Sequence, residues 1–206
     1  FEVFGKRVLL AAPTGRAARR LSEVTRREAK TIHRLLGVNF QDGQFHKNKD
    51  NPLDADAVII DEASMLDTLL MFHLINAIPM TAALVLVGDV FQLPSIGPGN
   101  VLSDMIKSAQ APVFYLKKIF RQAHKSPIIL NAHRIRNGEL PVLKSMDDPE
   151  GLSEFYFLEQ GDPNRVVSTI VELCTKTIPE TFSFDPMHDV QVLTPMHKGL
   201  VGTTYL

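Results

Sequence analysis

The sequence predicts an α/β fold built around a largely parallel β-sheet. Short, wholly apolar runs such as Arg7–Ala12 and Ala57–Ile60 are typical of buried parallel strands, which are covered on both faces. Segments with apolar residues at helical spacing lie between these runs. Strands that alternate with helices favour a parallel sheet with helices packed on its faces.

The first half of the chain supplies most of these elements. A helix with Ala17, Leu21 and Val24 at helical spacing follows the first strand. A strongly apolar helix is predicted over 64–78, where Pro79 ends it. The third strand is predicted over 83–87, and a loop rich in proline and glycine follows it.

The chain changes character near residues 112–118, where we expect a domain boundary. The predicted domains cover residues 1–115 and 116–206. Further strands are predicted at Val113–Leu116 and Val190–Leu193. Two helices are expected after Ser126–Pro127 and Asp162–Pro163, since a capping residue before proline is a common helix start. Gly138 is expected to end the first of them.

Composition narrows the class of protein. No apolar run reaches the roughly 20 residues that span a bilayer, and no secretory signal opens the chain. We therefore expect a cytoplasmic protein without a membrane partner. The single Cys174 excludes a disulfide framework. Net charge changes sign along the chain, from +6 over 1–50 to −6 over 51–110. Such blocks suit binding to a polyanion at selected places, or simply an uneven surface.

Asp61 and Glu62 directly follow the second apolar strand. Open α/β sheets bind ligands at the carboxyl ends of their strands. There the first carboxylate can hold Mg²⁺ and the second can polarise an attacking water. The alternative is a pair of acids that simply stabilise a helix N-terminus.

Two other strands bring polar residues to the same edge. Gln92 lies in GDVFQLP after the third strand and can both donate and accept hydrogen bonds, which suits a γ-phosphate sensor. After the first strand, Thr14 and the amides of the helix start can hold a phosphate, more plausibly of nucleic acid than of nucleotide. An ordinary loop glutamine and a plain helix cap at Thr14 are the alternatives.

One short stretch, Val38–Lys49, has alternating apolar residues around Asp42–Gly43, which indicates a β-hairpin. It lies between two elements of the α/β domain, so we expect a small excursion from its surface. His73 and Cys174 lie in apolar helical patterns, and we expect both to be packing residues.

Seven stretches resemble motifs of RecD-like superfamily 1 helicases, the family that includes the exodeoxyribonuclease V α-subunit. Each motif is weak alone, but they occur in family order over almost the whole chain. They are APTGRAARRL (12–21, motif Ia), TIHRLL (31–36, the adjoining DNA-contact motif), IIDEASM (59–65, Walker B), GDVFQLPSIGPGNVL (88–102, motif III), IFRQ (119–122, motif IV), NAHRIRNGELP (131–141, the stretch after it) and VLTPMHKGLVGT (192–203, a DNA-binding segment).

The resemblance implies a RecA-like P-loop NTPase motor domain with an incomplete parallel sheet, followed by part of a second RecA-like domain. It also implies ATP and Mg²⁺ as cofactors. Asp61 would coordinate the metal, Glu62 would activate the hydrolytic water, and Gln92 would sense the γ-phosphate. Arg121, from the second domain, would act as an arginine finger.

Single-stranded DNA is the partner that the resemblance implies. In the first domain its contacts would be Pro13, Thr14, Gly15, Arg16, Thr31 and His33. In the second they would be Thr194, Pro195, Met196, His197 and Lys198. For Thr31 a second interpretation stays open, as the N-cap of a short helix that ends at Gly37.

The hairpin corresponds in position to an element that acts as a strand-separating pin in RecD-like enzymes. Its residues suited to DNA are Phe40, Phe45, His46 and Lys47. A simple surface hairpin is the alternative.

The implied activity is that of an ATP-dependent DNA helicase moving 5′→3′ in DNA repair or recombination, alone or with other subunits of a helicase–nuclease complex. The sequence contains no GxxxxGK[ST] loop, and motifs V and VI do not follow the last strand. We therefore expect a fragment that does not hydrolyse ATP by itself. The alternatives are a non-catalytic nucleic-acid-binding module and the helicase part of a conjugative relaxase.

Overall fold

The computed structural model describes residues 5–39, 44–116, 126–143 and 154–206. The chain divides into two compact units, residues 1–117 and 118–206. None of the helices in the described ranges has the length and apolar character needed to cross a bilayer.

The first unit contains a four-stranded sheet, in which every neighbouring pair is parallel. Its strands, in the spatial order β2-β1-β3-β4, are β1 (Val8–Ala12), β2 (Ala29–Thr31), β3 (Ala57–Ile60) and β4 (Ala83–Leu86). The α/β class is confirmed, and so are the first three of the four strands predicted within residues 1–117. The short edge strand β2 was not predicted, since AKT has no apolar run.

A helix or helices follow each strand along the chain. They are α1 (Gly15–Thr25), α2 (Ile32–Leu36), a 3₁₀ turn (Ala63–Met65), α3 (Thr68–Ala77) and α4 (Val101–Ser108). The helix predicted from Ser64 therefore begins later. The cause is Asp67, whose Oδ1 accepts a 2.7 Å hydrogen bond from the Leu70 amide and caps α3.

The core of the first unit combines sheet residues with residues of α2 and α3. Its largest fully buried side chains are Ile32, Leu36, Val58, Ile60, Leu66 and Leu74. This packing holds the carboxyl end of β3 in place, because Ile60 is the last residue of that strand.

Among the described residues of the second unit, the regular secondary structure is helical. It contains α5 (Pro127–Arg136), α6 (Pro163–Glu172), a π-helical turn (Leu173–Thr177) and α7 (Ile178–Phe182). Both predicted helix starts are confirmed. Asp162 caps α6 by accepting from the Asn164 amide at 2.9 Å. Ser126 instead donates its hydroxyl to Glu154. Gly138, at φ +77°, follows the end of α5 as expected.

Two predicted strands are wrong. Val113–Leu116 and Val190–Leu193 have no regular secondary structure. Leu116 is fully exposed and Leu193 is 84% exposed. Neither stretch pairs with a strand in the described residues, and an apolar run without a pairing partner has nowhere to satisfy its backbone groups in a ladder.

Candidate functional site

Three strand ends of the first unit meet at one edge of the sheet. Ala11 of β1 is in register with Ile60 of β3, which is in register with Leu86 of β4. The Asp61 amide also donates to the Ala11 carbonyl at 2.9 Å. The segments that begin at Pro13, Asp61 and Val87 therefore leave the sheet side by side, as the strand-end pattern predicted.

Asp61 and Glu62 are both half-buried at this edge. One oxygen of Asp61 accepts the Glu62 amide at 3.0 Å, so the other remains for a ligand. Glu62 has φ +53°, in the left-handed region that residues with a Cβ seldom adopt. Such strain is concentrated at functional positions.

The segments after β3 and β4 are joined directly. The Ala63 amide donates to the Val87 carbonyl at 2.8 Å. A Cβ built on Gly88 would lie 3.0 Å from the amide nitrogens of both Ala63 and Ser64. Glycine is therefore required at position 88 for the two segments to approach this closely. The sequence alone gives little indication of this requirement, because it shows only a Gly–Asp pair after a strand.

Gln92 lies exposed in a tight turn after β4. Its amide donates to the Asp89 carbonyl at 3.1 Å, and the Asp89 carboxylate accepts from the Phe91 amide at 3.0 Å. Gln92 thus lies in a hydrogen-bonded turn that begins shortly after the end of β4.

The proline- and glycine-rich loop from 92 to 100 packs on the start of α3. The Thr68 amide donates to the Pro98 carbonyl at 2.9 Å. A Cβ on Gly97 would overlap the Asp67 carboxylate, and one on Gly99 would overlap the Thr68 hydroxyl. The loop is thus fixed to the helix that follows the acidic pair.

The residues present fit a Mg²⁺–nucleotide site completed by the ligand. In the described residues no group of three or more His, Cys, Asp or Glu side chains could hold a metal. Mg²⁺ commonly takes one or two carboxylates, with phosphate and water oxygens as its other ligands, and Asp61 offers one. The Ser64 hydroxyl is buried and has no hydrogen-bond partner in the described part of the chain. A buried hydroxyl that lacks a partner suits a site that water or ligand completes.

Thr14 and Thr31 are both helix caps. The Thr14 hydroxyl accepts from the Ala17 amide at 3.2 Å, and that of Thr31 from the Arg34 amide at 3.2 Å. Gly37, at φ +68°, ends α2 as the capping interpretation expects. In each cap the hydroxyl oxygen accepts a hydrogen bond. The hydroxyl hydrogen is not used by the cap, so it is compatible with donation to a phosphate oxygen.

A surface groove lies beside the N-terminus of α1. It is lined by Gly15, Arg16, Arg19, Arg20 and Glu23. Glu23 is 3.1 Å from the Arg19 guanidinium and 3.9 Å from that of Arg20. The predicted contacts Gly15 and Arg16 are thus exposed within a basic surface, while Pro13 is half-buried.

The predicted DNA contacts of the second unit form a compact loop. The Thr194 hydroxyl donates to the Val201 carbonyl, and His197 Nδ1 is 3.0 Å from the Thr203 hydroxyl. The Thr203 amide donates to the Met196 carbonyl at 3.2 Å. Within this loop Pro195, Met196, His197 and Lys198 are exposed. Arg121 lies outside the described residues.

The base of the predicted hairpin is formed. Val38 and Phe45 make an antiparallel bridge, and the Asn39 amide donates to the Gln44 carbonyl at 2.8 Å. Its predicted turn at Asp42–Gly43, and Phe40, lie outside the described residues. Phe45 packs against the protein core, 4.7 Å from the ring of His73. His73 is therefore a packing residue, as expected, and so is Phe45, for which a DNA contact was considered.

Sequence comparisons place these features in a family. A family model described as an AAA domain matches residues 2–98. The ATP-dependent RecD2 DNA helicase of Deinococcus radiodurans is 40% identical over 205 residues, which are 100% of this chain and 26% of the relative. The RecBCD enzyme subunit RecD of Mycobacterium tuberculosis is 34% identical over 179 residues, 76% of this chain and 30% of the relative. The chain thus spans between a quarter and a third of these relatives.

Among solved structures, the Pif1 helicase from Bacteroides in complex with ADP-AlF3 and single-stranded DNA is 25% identical. The match covers 66% of this chain and 38% of that one, with a TM-score of 0.45. Family membership rests on the sequence relatives, since identity of 40% extends over the whole chain. The chain belongs to the RecD-like family of superfamily 1 helicases.

Proposed function

We propose that the full-length protein is an ATP-dependent DNA helicase that moves 5′→3′ on single-stranded DNA in DNA repair or recombination. The observation that carries the proposal is the shared sheet edge, where the acidic pair Asp61–Glu62 lies beside the segment of Thr14. Residues proposed to bind the nucleotide and a residue proposed to contact DNA thus lie at one edge of the sheet. This arrangement suits a motor that couples ATP hydrolysis to movement along DNA.

In the proposed hydrolysis each residue at the edge has one task. Asp61 holds Mg²⁺, which when bound neutralises phosphate charge. Glu62 accepts a proton from the attacking water, and Gln92 orients groups at the γ-phosphate. Arg121 is proposed as the arginine finger on the basis of the IFRQ match alone.

Coupling between nucleotide and DNA is supported by contacts within the first unit. The acidic pair is joined to the end of β4 through Ala63 and Val87. The loop beyond β4 is fixed in turn to the start of α3. A shift at the nucleotide would therefore reach several elements together, as gated motor cycles require.

The DNA path is proposed to use both units, which we take to be the first motor domain (1–115) and the beginning of the second (116–206). Pro13, Thr14, Gly15, Arg16, Thr31 and His33 would contact DNA in the first. Thr194, Pro195, Met196, His197 and Lys198 would do so in the second. Helix N-termini and capping hydroxyls suit phosphate oxygens rather than bases, so little sequence preference is expected.

The GxxxxGK[ST] loop is not within these 206 residues, so the proposal applies to the full-length protein, working in the cytoplasm. A second candidate role is that of a subunit in a helicase–nuclease complex. The name of the Mycobacterium tuberculosis relative, a RecBCD enzyme subunit, favours it. Co-purification of a nuclease subunit with the tagged full-length protein from its own cells would support this role.

The test uses purified full-length protein and its Glu62→Gln variant. We expect the variant to bind ATP normally but to lose most single-strand-stimulated hydrolysis, because the amide cannot accept the proton of water. Unwinding should occur on duplexes with a 5′ tail and not on those with a 3′ tail. Normal turnover in the variant contradicts the role of Glu62, and unwinding from 3′ tails contradicts the polarity.

A further inference from the structure

Phe45 lies between two histidine rings at the base of the hairpin. Its ring centroid is 5.8 Å from that of His33 on α2 and 4.7 Å from that of His73 on α3, both in tilted arrangements. Phe72 meets His73 edge-on at 5.5 Å. Such separations are those of favourable aromatic pairs. Through this stack, one hairpin residue contacts two helices of the first unit.

Backbone hydrogen bonds hold the same base to the end of α2. The His46 amide donates to the Gly37 carbonyl at 3.0 Å, and the Lys47 amide to the Leu36 carbonyl at 2.9 Å. The Lys47 ammonium also donates to the Pro52 carbonyl at 3.1 Å. The returning strand of the hairpin is therefore attached to α2, which carries the proposed DNA contact His33.

A two-stranded hairpin is only marginally stable by itself in water. Contacts between the base of the hairpin and the rest of the first unit must therefore fix its orientation. The backbone bonds of His46 and Lys47 attach the returning strand to the end of α2. Phe45 adds the connection to α3, since its ring contacts His73 and the hydrophobic core. With both helices engaged, the base is restrained from two sides.

We infer that Phe45 is a positioning residue, which holds the described base of the hairpin (38–39 and 44–47) against α2 and α3 and does not itself contact DNA. The inference rests on the proposed helicase function for its role in unwinding. A hairpin that parts two strands must resist the load at its tip, and the resistance comes from its base. Removal of the Phe45 ring should loosen the base of the hairpin and should leave the acidic pair and the α1 terminus intact.

The activity test compares full-length Phe45→Ala with the conservative Phe45→Tyr and with Leu69→Ala, an exposed position on α3. We expect Phe45→Ala to unwind duplex about tenfold more slowly, as removal of aromatic pairs of this kind allows. Its ATP turnover and the concentration of single-stranded DNA that half-saturates it should stay unchanged. Phe45→Tyr and Leu69→Ala should behave as wild type.

Equal loss of unwinding and of single-strand-stimulated turnover in Phe45→Ala overturns the inference, because that result indicates general damage. A weaker half-saturation by DNA also overturns it, since it indicates that Phe45 acts on DNA binding, directly or through His33, rather than on the base of the hairpin. The inference is also overturned if Phe45→Ala unwinds duplex at the wild-type rate.

A second measurement needs no helicase activity. A fluorophore on Gln44→Cys, in a full-length background without other cysteines, reports local motion of the hairpin by its anisotropy. Phe45→Ala should lower that anisotropy and Phe45→Tyr should not. Unchanged anisotropy in Phe45→Ala contradicts the positioning role. If wild-type protein fails to unwind while the anisotropy falls as expected, the proposed function fails and the positioning role stands.

Discussion

The amide of Ala63 donates a 2.8 Å hydrogen bond to the carbonyl oxygen of Val87. The Val87 amide donates in turn to the Ile60 carbonyl at 2.8 Å. These two bonds join the segment that carries Asp61 and Glu62 to the end of β4, and Gly88 follows at once. The segment of the proposed metal ligand Asp61 and the segment that leads to Gln92 are therefore hydrogen-bonded to each other where they leave the sheet.

Gly88→Ala should disrupt this connection. The new Cβ would lie 3.0 Å from two backbone nitrogens, which cannot turn aside as a side chain can. We expect a loss of about 1–3 kcal/mol in unfolding free energy, typical of overpacking, and a large fall in ATP turnover of the full-length protein. Denaturant unfolding and a turnover assay measure the two effects.

Gly161→Ala is the matched control, because an added Cβ there meets nothing within 4 Å. It should leave both quantities unchanged. Wild-type turnover in Gly88→Ala would show that the close approach of the two segments is not needed for hydrolysis.

Glu62→Gly should make the protein more stable while abolishing hydrolysis. The left-handed backbone at φ +53° is unfavourable for glutamate by about 1 kcal/mol and is accessible to glycine. Glu62→Gln keeps the Cβ and should not gain this stability. Arg26→Gly, at φ +55° beyond the end of α1, should gain similar stability with hydrolysis intact. Melting curves and turnover of the full-length variants separate the backbone effect from the chemical one.

The strands β1, β3 and β4 were predictable because a parallel strand buried on both faces is apolar throughout. Their shared edge followed from the same rule, so the convergence of Thr14 and Asp61 was also predictable. Strand β2 was not, since its three residues owe their conformation to pairing with β1, as in the register of Leu10 with Ala29. The apolar run at Val190–Leu193 failed for the opposite reason, because it has no strand to pair with in the described residues.

Contacts that depend on packing lay beyond the sequence. Nothing in VNFQDGQFHKNK distinguishes a phenylalanine that reaches DNA from one that packs inward. The structure shows that Phe45 packs inward, because its ring lies 4.7 Å from that of His73 on α3. The need for glycine at Gly88 likewise appears only when Ala63 and Ser64 are seen against it.

Arg16→Gln should weaken single-stranded DNA binding in a salt-dependent manner. Arg16 is exposed in the groove beside the α1 terminus. A plot of log affinity against log salt has a negative slope. The loss of one charge that contacts a DNA phosphate should make that slope less steep by about 0.7. The measurement is a fluorescence-anisotropy titration of full-length protein with labelled single strands at several salt concentrations. Arg26→Gln, an exposed arginine beyond the other end of α1, is the control and should keep the wild-type slope. An unchanged slope in Arg16→Gln would remove this residue from the DNA path.

Asp56→Asn should reveal a stabilising interaction that disappears in acid. Asp56 accepts the Arg7 amide at 2.8 Å and the Lys6 ammonium at 3.1 Å, and these bonds hold the pKa of its carboxyl below the ordinary value of 3.8. A group whose pKa is lowered by folding stabilises the folded state above its ordinary pKa, and this contribution disappears as pH falls through the lowered one.

Wild type should therefore melt slightly above Asp56→Asn at about pH 7, and the gap should close as the pH falls below 3.8 through the lowered pKa of Asp56. The gap should be small, because Asp56 and its partners are exposed. Asp50→Asn, which changes another exposed aspartate of the same unit, is the matched control. A gap between wild type and Asp56→Asn that widens as pH falls would contradict the sign of the pKa change, and with it the claim that the ionised carboxylate is what joins Arg7 to the start of β3.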